Sequence, residues 1–147
     1  MSTDEKVAKE LVETLKDGRE GYAKLAERLS GDEHAQWAST MQRLSQQRQQ
    51  FADEIVAMGH RYGDDVDESG TATAALHRGW LALKDALTGD DPKGALGAAV
   101  TGEDHAVSEY EKALEADLSD GFRTVVQRQH QAIVAARDEV KGLQASA

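Results

Sequence analysis

The chain has 147 residues, no cysteine and a single proline, and its 17 Lys and Arg stand against 27 Asp and Glu, a formal net charge of −10. That length predicts one domain with a real core over residues 1–147, while the missing cysteines exclude disulfides and thiolate metal sites. The acidic balance opposes nucleic acid and anionic membranes, no window nears the roughly 18 apolar residues of a membrane span, and the Met1–Lys6 start lacks the basic and apolar run of a secretory signal, so a cytoplasmic protein is expected.

The first helix is predicted to start at Ser2 or Thr3, where Ser2 and Glu5 have capping-box spacing. Its apolar face reads Val7, Leu11, Leu15, Gly18, Tyr22, Leu25, Leu29, in alternating steps of four and three. Gly18 and Gly21 are out of character, because a mid-helix glycine costs about 1 kcal/mol relative to alanine. Either the helix packs closely against a neighbour there, or room is left for a bulky group opposite. A break at Ser30-Gly31-Asp32 predicts a second helix capped by Ser30, with Glu33 three residues on. Its stripe is Trp37, Met41, Leu44, Arg48, Phe51, Ile55, Met58, with an arginine at its centre.

Between Arg61 and Gly70 the periodicity stops. Asp65, Asp67, Ser69 and Gly70 copy the first half of a calcium-binding loop, but Leu76 stands where its bidentate glutamate belongs, so a solvated turn is the better reading. A short helix from about Thr71 to Leu87 follows, with Leu76, Trp80, Leu83 and Leu87 on one face. Asp91 and Pro92 open a long helix as N-cap and first turn. Its stripe runs Leu96, Val100, Val107, Tyr110, Leu114 and is continuous only if Glu103 fills the gap. Ser119 is expected to cap the last helix, whose stripe is Phe122, Val126, Gln129, Ile133, Ala136, Val140, Leu143.

Four long helices of about 25 residues make rods of about 40 Å. With the short helix lying in a long crossover between the second and third long ones, they predict an all-α, ferritin-like antiparallel four-helix bundle. Matching helix ends in that topology places Gly18, Arg48, Glu103 and Ile133 in one layer, and Leu15, Phe51, Val107 and Gln129 in the next. Opposite charges cannot be buried singly, so Arg48 and Glu103 are expected to form a bidentate pair. Gly18 makes room for the guanidinium. Gln129, His130, Asp17 or Asp104 would take its remaining donors.

Asp17-Gly18-x-x-Gly21-Tyr22, Leu76-His77-Arg78-Gly79-Trp80, and Glu103-Asp104 followed by Tyr110 resemble a bacterial ferritin-like four-helix-bundle family known mainly as a domain of unknown function. The resemblance spans nearly the whole chain and implies the bundle and its crossover helix. The wider superfamily includes di-iron and di-manganese oxidases and metal stores, which use Glu-x-x-His on two helices. This chain has none: Glu54 is followed three residues later by Ala57, Glu103 by Ala106, and Glu139 by Gly142.

The favoured reading is a non-enzymatic structural or interaction protein with no cofactor. Its buried polar layer of Gly18, Arg48, Glu103 and Gln129 stands in place of a metal site, and its partner is another protein or a second copy. The alternative is a metal-binding protein holding iron or manganese, an oxidase or a store, with Asp17, Glu20, Glu103, Asp104, His105 and His130 as ligands of the right chemical type. A third candidate is a binding site on the crossover helix, where His77, Arg78 and Trp80 combine a cation with an apolar ring. Against it, tryptophan on a periodic face is usually core.

Overall fold

A computed structural model describes residues 3–31, 34–61, 80, 83, 87 and 91–146, except for the side chains of His60 and Arg61. The described residues are all-α and form four long helices without strands: α1 (Thr3–Arg28), α2 (Ala35–Arg61), α3 (Pro92–Glu115) and α4 (Asp120–Ala145). No helix among them is long and apolar enough to cross a membrane. Apart from Trp80, Leu83 and Leu87, the expected crossover helix lies outside the described residues, as do the half calcium loop, His77, Arg78 and Ser2.

Each helix turns the stripe its sequence carries inward, with Trp37, Phe51, Met58, Val100, Leu114 and Leu143 only partly buried. On α1, Val7, Leu11, Leu15, Tyr22, Leu25 and the following Leu29 are all enclosed. The buried face of α3 is wider than its large residues suggest, because Ala95, Ala98, Ala99, Gly102, Ala106 and Ala113 are buried as well. Small side chains let neighbouring backbones come close on both sides of that helix.

The apolar core falls into two halves. One joins the N-terminal half of α1 to the C-terminal halves of α2 and α3 and the N-terminal half of α4. The other joins the opposite ends of the same helices and adds Trp80 and Leu83. Helices α1 and α4 therefore run one way, and α2 and α3 the other. Around the core α1 neighbours α2 and α3, and α4 neighbours the same two. Helix α2 ends at one end of the core and α3 begins at the other.

The helix ends divide between expectation and correction. Asp91 caps α3, its carboxylate accepting from the Lys93 amide at 3.1 Å, and Pro92 occupies the first turn. Glu33, the other half of the expected capping box, lies outside the described residues, and Ser30 is seen at the end of α1. Its hydroxyl donates to the Glu27 carbonyl at 2.8 Å, closing the end of α1, and α2 begins only at Ala35. Ser119 does precede α4, but its side chain makes no cap bond. The hydroxyl donates instead to the Asp4 carboxylate at 2.6 Å, and that carboxylate also accepts from the Ser119 amide at 3.0 Å. The hydroxyl is thus held by a tie across the bundle end to a charged acceptor and accepts from no α4 amide.

Candidate functional site

Midway along the bundle, between the two halves of the core, Arg48 and Glu103 face each other from α2 and α3. Two parallel hydrogen bonds of 2.5 Å join the guanidinium to both carboxylate oxygens. Arg48 is 1% exposed and Glu103 0%. Burial alone would push the guanidinium pKa down, but the Glu103 charge and its hydrogen bonds reverse this and hold it above its ordinary value. The guanidinium also lies over the Tyr22 ring, 5.4 Å from its centre.

Glycine makes room for this group. A Cβ at Gly18 would stand 3.2 Å from an Arg48 terminal nitrogen and 3.3 Å from its Cγ. Gly21 serves a different side chain. A Cβ there would meet Trp80 Cε3 at 2.5 Å, and one at Gly102 would meet the same indole from α3. Trp80 is thus wedged between two glycines of adjacent helices, edge-on to Tyr22 at a ring separation of 5.0 Å. It is 2% exposed, which makes it part of the core. The Tyr22 hydroxyl is enclosed with no hydrogen bond of ordinary geometry to a described residue. Burial first, and the Glu103 charge second, push its phenol pKa well up.

A third Arg48 donor goes to a residue other than those expected. Nε donates to Gln47 Oε1 at 3.2 Å, a neighbour on the same helix. Gln129 is fully buried but belongs to a separate chain of contacts. It accepts from the Tyr110 hydroxyl at 2.7 Å and donates to Glu54 at 2.8 Å and to the Phe51 carbonyl at 3.3 Å. Glu54 in turn pairs with Arg128 at the surface. The Arg128 hydrogen bond outweighs partial burial and, with Gln129, lowers the Glu54 pKa. Burial raises that of Tyr110.

The other candidate ligands are dispersed. Asp17 is buried on α1 beside Gly18. Glu20 lies half-buried, 3.6 Å from Arg19. Asp104 is exposed, 3.5 Å from Arg137. His105 is half-buried. So is His130, whose enclosed Nε2 has no partner among the described residues. Among the described residues no three His, Asp or Glu stand close enough to hold an ion. Glu103, the carboxylate at the centre, has both oxygens engaged by a cation, so this donor set does not fit iron or manganese.

Gln47, Glu54 and Gly102 were not singled out for these roles from sequence. Gly102 directly precedes the anomalous Glu103, the one local sign that α3 is approached closely there. Gln47 and Glu54 carry no such sign, since polar residues on an exposed helix face are ordinary. Residues 5–116 match a family described as a domain of unknown function, DUF2383. No curated protein and no solved structure matches the chain at a significant level.

Proposed function

The chain belongs to the DUF2383 family, whose match takes in nearly all of α1 and the whole of α2 and α3, and we propose that it is a non-enzymatic scaffold, a structural or interaction protein of the bacterial cytoplasm. Its four helices are read as a ferritin-like antiparallel bundle with a long crossover carrying a short helix. The positions of the α2 and α3 termini at opposite ends of the core support that reading.

One observation carries the functional reading. In ferritin-like metal proteins, carboxylates and histidines project from all four helices into the middle of the bundle. Here the middle holds a guanidinium that occupies both oxygens of the central carboxylate. A fixed positive charge at that point opposes a divalent ion, and the pair needs no cofactor to satisfy it. Its contribution is specificity. A buried ion pair adds little net stability over apolar packing, but any register that separates the partners strands a charge in the core.

Protein purified without chelator is expected to carry iron and manganese only at the level of a buffer blank, measured by plasma mass spectrometry. A stoichiometric ion that survives dialysis and disappears in Glu103→Gln would overturn the scaffold reading.

A further inference from the structure

Helices α2 and α4 are the most loosely joined neighbours in the bundle. Between them runs a groove of about 190 Å³, with Gln47 on one wall and Ala132 and Ala135 on the other. Arg43 and Glu139, paired at 2.6 Å, line it, and a second ion pair, Arg128 with Glu54, joins the same two helices further along. All four charged side chains are substantially exposed.

The two walls follow one pattern. Along α2 the stripe is Arg43, Gln47, Gln50, Glu54, and along α4 it is Arg128, Ala132, Ala135, Glu139. Both begin with arginine, end with glutamate, and step by four, three and four residues. Because the helices are antiparallel, the stripes are related by a local two-fold axis between them, and each arginine meets the other stripe's glutamate. The surrounding sequence is equally unusual. No Asp or Glu occurs from Ala35 to Ala52 or from Gly121 to Arg137, in a chain with 27 acids.

We propose that this face is where a second copy of the chain docks, two-fold axis on two-fold axis. Two copies carrying −10 each repel at a distance. Contact is least opposed where each contributes no net charge, and on this face the terminal arginines and glutamates cancel. A two-fold contact requires a patch complementary to itself. The repeated stripe meets that condition, since a rotated copy presents arginine to glutamate at both ends. The alanines and amides between them allow close approach with hydrogen bonding. The proposal rests on the scaffold reading and names its partner.

Sedimentation equilibrium across a concentration series tests it. The wild-type chain should form a dimer. Ala135→Glu and Gln50→Glu, both at exposed helical positions, should each weaken it about a hundredfold by placing like charges across the axis. Ser108→Glu, exposed on α3, should leave it unchanged, and circular dichroism checks that every variant is folded. A wild-type monomer at the highest soluble concentration, or a dimer indifferent to both glutamates, would overturn the proposal. A bound metal would sink the scaffold reading through a different measurement.

Discussion

The Arg48–Glu103 layer is closed, whereas the Gln129 layer about one helical turn away opens to the surface. In the first, a full positive and a full negative charge are enclosed and answer each other directly. Trp80, seated between Gly21 and Gly102, packs beside them and against Tyr22. In the second, a neutral amide hands hydrogen bonds outward from buried Tyr110 to half-exposed Glu54, and from there to Arg128 in solvent. The difference follows from desolvation. A charge deep in the core needs its counter-charge within bonding distance, because neither can reach water. A glutamine has donors and acceptors to spare, and one of them can lead to a partner at the surface. The closed layer therefore stands or falls as a pair, while the open one can be taken apart in small steps.

Breaking the closed layer should have the largest effect. Arg48→Met or Glu103→Leu alone leaves a buried charge without its partner and should cost about 3–5 kcal/mol in chemical denaturation. The double replacement should recover much of that loss, since an apolar pair needs no counter-charge. Additive losses would mean that the two groups do not depend on each other, and the contrast between the layers would fail.

The open layer should respond more mildly. Tyr110→Phe removes one neutral hydrogen bond and leaves the buried Gln129 Oε1 without that donor, while the Glu54 and Phe51 contacts of Nε2 remain, so a cost of about 1–3 kcal/mol is expected. A loss as large as that of the Arg48 variants would show that this layer is also all-or-none.

Smallest is the titration of its outer end. The folded protein holds Glu54 below the ordinary carboxylate pKa of 4.5. Its stabilising contribution is thus complete above that value and is lost as pH falls through the depressed folded pKa. Glu54 and Arg128 are well exposed, so screening by solvent limits the contribution to about 1 kcal/mol or less. Glu54→Gln should flatten this part of the stability profile between about pH 6 and about pH 3. An unchanged acid limb would assign the loss to other carboxylates.

The apolar stripes were readable because a helix repeats every 3.6 residues, so spacing reports which side faces the core. Arg48, Glu103 and Gln129 interrupt three such stripes, and all three are buried. The Asp91–Pro92 helix start was equally local, since a cap is made by residues a few positions apart. Ser30 and Ser119 carried similar local signals but took other partners, one reaching back to α1 and the other across to Asp4. Spacing along the chain does not register a partner brought in from over a hundred residues away in sequence.

By itself, then, the sequence determined the four long helical segments, the faces they bury and the positions at which those faces turn polar. Only the tertiary structure decided that Gln47 accepts from Arg48 Nε, that Gln129 bonds to Tyr110 and Glu54, and that Trp80 lies between Gly21 and Gly102. The physical reason is one of range. Periodicity is written along a single helix, but which atom meets which across the bundle depends on the rotation and spacing of all four helices packed together.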